Sequence, residues 1–231
     1  MSYHVGDDYR TVGQNREEVA RAVSIETGSW ILCQQVHGTR ISEVGELEVG
    51  RGGRDYNSAM PRTDALLTGL EGAALAVLTA DCMPIILVAP VSRVVAAVHA
   101  GWRGTLWGIC GKAARRLARS GGCGPDEVLA FIGPHIKSCC FEVSADTAAY
   151  FRGKYGAHVV SGGPEGRYLV DLSLTCRVQL EEAGVPVENI YDAGICTSCD
   201  GEYFSFRRSG GVTGRQAGMV ALLGRRRVDD G

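Results

Sequence analysis

The chain reads as a single α/β domain, residues 1–231, built on a mixed sheet. Three observations predict this. Apolar runs at residues 73–79, 84–89 and 94–99 are short and uninterrupted, as strands buried on both faces are. Helical patterns flank them but do not alternate with strands one for one, so a mixed sheet fits better than a simple parallel wound one. Finally, 231 residues with 45% hydrophobic and 22% charged side chains form an ordinary globular mixture, long enough to bury a sizeable core. Its 32 glycines are spread along the chain rather than gathered in one linker.

From the N-terminus, Asn15 with Glu18 three residues on reads as the start of a capped amphipathic helix over 15–23. Strands are expected at 29–36 and 40–46, then a mobile glycine- and arginine-rich loop from Gly50 to Pro61. Asp64 precedes Ala65-Leu66-Leu67-Thr68 as a strand-start residue with no catalytic part. After the three apolar runs come a basic-faced helix over 104–119 and a buried strand at Val128–Ile132. A helix near 144–152, a strand near 167–171, a helix at 173–184, a strand at 189–193 and a helical tail over 214–224 complete the set.

Composition narrows the function classes. A net charge of −2 gives no reason to expect nucleic acid or an acidic membrane as partner. No apolar run approaches the roughly 20 residues that span a bilayer. Met1 to Asp8 has neither the basic nor the apolar region of a signal peptide, so the cytoplasm is the expected compartment. Nine cysteines is an odd count, and Cys33 and Cys110 sit in apolar surroundings, so buried free thiols are the general reading. Cys196-x-x-Cys199 has a redox or zinc-knuckle spacing but no second such pair, which favours a structural role. Cys139 and Cys140, if on a strand, point to opposite faces, so at most one reaches a pocket.

The richest stretch is Val94 to Gly104. An apolar strand ends on His99, Gly101 and Gly104 allow a sharp turn or a close approach, and Arg103 follows within reach. Gln35-Val36-His37-Gly38 and Thr79-Ala80-Asp81-Cys82-Met83-Pro84 are two further strand ends with ligand-type residues. Two imidazoles and one thiolate, His37, His99 and Cys82, suit zinc and leave a fourth position open. The same atoms allow another chemistry. Cys82 becomes a nucleophile, His99 its base, and Asp81 or another carboxylate orients the imidazole. A metal on Cys82 occupies the thiolate, so the two readings compete.

These blocks, in order, resemble the signature blocks of the YfiH/laccase-domain family. So do Ile132-Gly133-Pro134, Cys139-Cys140-Phe141-Glu142-Val143, Cys196-Thr197, Phe204-Ser205-Phe206-Arg207-Arg208 and Thr213-Gly214-Arg215. The resemblance runs from about residue 4 to residue 222. It implies a single-domain α/β sandwich like the cytotoxic necrotizing factor catalytic domain, and a metal site at His37, Cys82 and His99. It also implies a zinc-dependent purine nucleoside phosphorylase acting on adenosine, inosine, guanosine and methylthioadenosine, with adenosine deaminase activity. Alternatives are a cysteine-type amidohydrolase editing peptidoglycan precursors and a copper-dependent polyphenol oxidase. Copper is the poorer fit, since a multicopper centre needs many histidines and only five occur, His4 and His158 in unremarkable contexts.

For phosphorolysis, Arg103 is the best phosphate ligand, since its planar fork matches phosphate oxygens, with Arg207, Arg208 and Arg215 as further candidates. Cys82, His99 and Arg103 form the expected catalytic set, and a purine nucleoside and phosphate the expected partners. Family members carry an arginine- and glycine-containing segment and a Ser-Leu-Asn stretch ahead of the His-Val-Gly-Asp-Asp block. Here Met1-Ser2-Tyr3 leads directly into His4, which points to a shortened N-terminus.

Overall fold

A computed structural model describes residues 1–163 and 166–224; the end of the expected 1–231 domain lies outside the described residues. Strands β1 (Trp30–Leu32), β4 (Ala74–Thr79) and β12 (Gln216–Ala221) form one sheet, with β1 parallel and β12 antiparallel to β4. A larger mixed sheet runs β11 (Ile190–Asp192), β7 (Leu129–Ile132), β5 (Met83–Ala89), β6 (Val94–Ala100), β3 (Ala65–Thr68), β2 (Ile41–Glu43). A small ribbon of β8 (Glu142–Val143), β10 (Tyr168–Val170) and β9 (Val160–Gly162) stands beside them.

The uninterrupted apolar runs follow from the layering. Along β6, Val94, Ala96, Val98 and Ala100 pack towards α3 (Ile109–Gly121) and α5 (Leu172–Glu182), while Val95 and Ala97 pack towards the smaller sheet. In β4, Leu75 and Val77 face the large sheet, and Ala74, Ala76 and Leu78 join Ala20 of α1 (Tyr9–Val23). Strands covered on both faces have no polar side to alternate with. The mixed sheet expected from the sequence is therefore the observed one.

Several elements differ from expectation. The first helix starts six residues earlier than Asn15 suggested, because Asp8 is the N-cap and accepts from Thr11 N at 2.8 Å. The stretch over 104–119 breaks in two, α2 (Trp102–Leu106) and α3, at Gly108 with φ +84. The expected helical tail is strand β12. Its Ala, Met and Leu residues favour a helix locally, but the exposed edge of β4 offers six paired positions from Gln216↔Thr79 to Ala221↔Ala74. The segment expected to be mobile, Gly50 to Pro61, is stitched to β1. Leu32 N donates to Arg51 O at 2.8 Å, Met60 N to Leu32 O at 2.9 Å, and buried Arg16 holds Gly52 O and Gly53 O at 2.7 Å. The helix over Ala145–Tyr155 (α4) matches its expected position.

No helix among the described residues is long and apolar enough to cross a membrane.

Candidate active site

His37 lies in the loop after β1, Cys82 in the turn between β4 and β5, and His99 one residue from the end of β6. The antiparallel pairing Pro84↔His99 and Met83↔Ala100 sets Cys82 beside Gly101. The ligand atoms of His37, Cys82 and His99 all lie within 4.8 Å of one another, with Cys82 Sγ 3.6 Å from His37 Nε2. Such crowding depends on Gly101, where an added Cβ would stand 2.6 Å from His37 Cδ2 and 3.2 Å from Cys82 Sγ. Gly104 likewise makes room for Gly38 O, which a Cβ there would meet at 2.8 Å.

Asp64 holds this arrangement in place. Its carboxylate accepts from His37 N at 2.9 Å and Gly38 N at 2.8 Å, fixing the loop that carries the first imidazole. It also accepts from His99 Nδ1 at 2.9 Å, in a pair whose side chains are 2% and 0% exposed. Donation from Nδ1 leaves His99 Nε2 facing Cys82, the tautomer and orientation that a metal-ligating imidazole takes when a carboxylate backs it. Burial opposes ionisation of Asp64, but His99 and the N–H groups of Gly38 and Val36 hold its pKa below the ordinary carboxylate value. Burial also opposes a thiolate at Cys82. The charge of His99 and hydrogen bonds from both imidazoles outweigh it and bring the thiol down to about 6. For His99 burial favours the neutral ring, yet Cys82 and Asp64 raise it to about 9. A half-buried thiolate with two imidazoles is a donor set that fits zinc, and one poorly matched to magnesium or calcium.

A cavity of about 430 Å³ opens on these three residues. Leu78, Ile136, Phe141, Leu172 and Phe206 give it apolar walls, and Arg103, Arg207 and Arg215 line it as well. The guanidinium of Arg103 lies over the Trp102 ring at 4.5 Å and makes no hydrogen bond or ion pair among the described residues, so its donors stay open to an anion. Arg207 donates to Cys140 O at 2.9 Å and Glu142 O at 3.1 Å, and Arg215 to Thr213 O and Gly214 O. Arg208 is not brought to the cavity. Its guanidinium holds Thr197 O at 2.6 Å, Asp200 O at 2.7 Å, and the carbonyls of Ser198 and Tyr203.

The carboxylate behind His99 is Asp64, not Asp81. The latter, at φ +83, accepts from Thr197 Oγ1 and Arg207 N at 2.7 Å each and so ties the Cys82 turn to the C-terminal loops. His4 also lines the cavity, held by Ser2 Oγ at 2.9 Å. Thr79 lines it too, and its buried Oγ1 has no partner within the protein among the described residues. His135 belongs neither to the cavity nor to the surface. It is fully buried, with Nδ1 donating to Gly133 O and Nε2 accepting from Ser173 Oγ, both at 2.8 Å.

Comparison with known proteins adds a second line of argument. A family model described as multi-copper polyphenol oxidoreductase laccase matches residues 1–223. The chain is 38% identical over 230 residues to a Geobacillus stearothermophilus protein named purine nucleoside phosphorylase YlmD, covering 98% of this chain and 83% of that one. It is 33% identical to adenosine deaminase RL5 from an unknown prokaryotic organism, over 92% of this chain and 82% of the relative. The crystal structure of YlmD from Geobacillus stearothermophilus superposes with a TM-score of 0.93 at 36% identity, covering 97% of this chain and 84% of that one.

Proposed function

The chain belongs to the family described as multi-copper polyphenol oxidoreductase laccase, and within it we propose a zinc-dependent purine nucleoside phosphorylase with adenosine deaminase activity. One observation carries this reading. A soft three-ligand set and an uncommitted arginine, Arg103, face one cavity of nucleoside size with apolar walls. Relatives named purine nucleoside phosphorylase and adenosine deaminase support the same chemistry.

In phosphorolysis the C1′–N9 bond of the nucleoside breaks, a phosphate oxygen bonds to C1′, and the base leaves with a proton. Arg103 binds the phosphate through its planar fork, with Arg215, which also lines the cavity, adding positive charge. Phe141 and Phe206 offer ring faces to the purine, and Thr79 Oγ1 offers a hydroxyl to a polar edge of the substrate. Zinc, when bound by His37, Cys82 and His99, supplies a Lewis acid at the floor of the cavity. Asp64 keeps His99 in the ligating tautomer throughout. Adenosine, inosine, guanosine and methylthioadenosine are the expected substrates.

The family description mentions copper, but the donors favour zinc. Among the described residues the ligand clusters are a two-imidazole, one-thiolate set and an all-cysteine set, not a gathering of histidines. Metal-replete protein incubated with adenosine and phosphate should yield adenine and ribose 1-phosphate, and inosine from the deaminase activity. Absence of all three products would overturn the proposal.

A second reading has its own observation. Cys82, at about 6, stands beside His99 with Asp64 behind it, as a thiolate nucleophile with its base and orienting carboxylate would. This favours cysteine-nucleophile chemistry, for which the family resemblance implies an amidohydrolase acting on a cell-wall precursor. Such an enzyme keeps its activity under chelation and loses it to alkylation of Cys82; the zinc enzyme loses activity under chelation.

A further inference from the structure

Cys196-x-x-Cys199 lacks a partner pair in the sequence but has one in space. Cys139 and Cys140 lie in a turn, not on a strand, with Cys140 N bonded to Lys137 O at 2.9 Å, so their side chains are not forced to opposite faces. Cys140 Sγ is 3.3 Å and Cys139 Sγ 3.7 Å from Cys199 Sγ, and all four sulfurs lie within 4.8 Å of one another. A tetrahedron of thiolates about 2.3 Å from zinc has sulfur–sulfur edges of about 3.8 Å. We propose that Cys139, Cys140, Cys196 and Cys199 form a second metal site, a closed tetrathiolate zinc centre separate from the cavity.

The surroundings of Cys196 suit a thiolate. Lys137 N–H points at Cys196 Sγ at 3.5 Å, and the N–H groups of Ser198 and Cys199 also donate to it, the turn geometry of a cysteine knuckle. Four thiolates on one zinc ion carry a net negative charge, and two guanidinium groups sit on the carbonyls that frame the cluster. Arg207 holds Cys140 O, while Arg208 holds Thr197 O, Ser198 O and Asp200 O. This gives Arg208, which does not reach the cavity, a place in the fold. Cys139 and Cys199 are exposed, so the ion has a path in, and binding releases the thiol protons to solvent.

With four protein ligands no coordination position stays open, so the centre is structural. It staples the turn at 137–140 to the turn at 196–199. These turns precede Phe141 and contain Thr197, and Thr197 together with Arg207 N grips Asp81, the neighbour of Cys82. The staple thus braces the cavity wall without contacting substrate.

Metal content of the full-length chain, reconstituted with zinc under reducing conditions and desalted, tests this. Wild type should hold about two zinc ions, Cys199→Ser about one, and His99→Ala about one. Where Cys199→Ser does not fold, cobalt-loaded His99→Ala decides, since its remaining metal must give the thiolate-to-cobalt charge transfer of an all-sulfur site. A wild type with a single zinc, kept in His99→Ala and lost in Cys199→Ser, upholds the tetrathiolate centre and counts only against the cavity site. Metal-free His99→Ala, or disulfides among these four cysteines in protein purified from cells, would overturn the proposal.

Discussion

The two ligand clusters share sulfur chemistry but differ in how the fold supports them. His37, Cys82 and His99 project from loops and strand ends around the buried carboxylate of Asp64, and they open on a cavity. Cys139, Cys140, Cys196 and Cys199 sit on two turns near the surface, braced by backbone N–H groups and by arginines on carbonyls. Three ligands on a rigid frame leave a position for chemistry, whereas four on turns use every position to hold the turns together. Damage should therefore separate cleanly: lesions around Asp64 affect catalysis, and lesions around Cys199 affect the cavity wall.

Arg103→Ala should give the sharpest separation. It removes a cation that makes no hydrogen bond or ion pair to either cluster among the described residues, so kcat/KM for phosphorolysis should fall about a hundredfold while both metals are retained. Loss of metal in that variant would show that the cavity and the ligand set are not independent. Asp64→Asn should weaken zinc binding at the cavity about tenfold to a hundredfold, since it disturbs the carboxylate that fixes His99 and the His37 loop. Zinc at the four cysteines should be unaffected, which competition with a chelator of known affinity can check for each site.

An effect on stability rather than activity lies between the clusters. His135 N donates to Ile195 O and its carbonyl accepts from Thr197 N, so it joins the cavity side to the cysteine turns. Burial, then the charge of Lys137, lowers its pKa to about 4. The folded value lies below the unfolded one, so this contribution to stability is complete above about pH 6.5 and fades as pH falls towards 4. Between pH 7 and pH 5 it amounts to about 2 kcal/mol. Urea midpoints at the two pH values should show a smaller drop in His135→Gln than in wild type; equal drops would remove His135 as the cause.

How much of this was legible in the sequence depended on whether the signal was local. The strands at 73–79, 84–89 and 94–99 announced themselves because two-sided burial leaves them no polar face to alternate with, polar residues coming only at their ends. His37, Cys82, His99 and Arg103 were visible as ligand-type residues beside strand ends. Asp64 was not, because only the antiparallel register Ala65↔Val98 brings it opposite His99. The partner of Cys196-x-x-Cys199 was hidden for the same reason: Cys140 and Cys199 are 59 residues apart and meet only through tertiary structure. Arg208 was misplaced since a motif shows which residues are near the site but not which way each points. The tail failed differently: helix-favouring residues were overruled by the pairing that β4 offered.

Metal content and adenosine phosphorolysis measured on the same preparations of wild type and His99→Ala test the cavity assignment most directly. Loss of His99 should remove the cavity zinc and lower turnover on the order of a thousandfold together, while the zinc at the four cysteines stays. A His99→Ala protein that keeps its full metal, or that turns adenosine over at the wild-type rate, contradicts it.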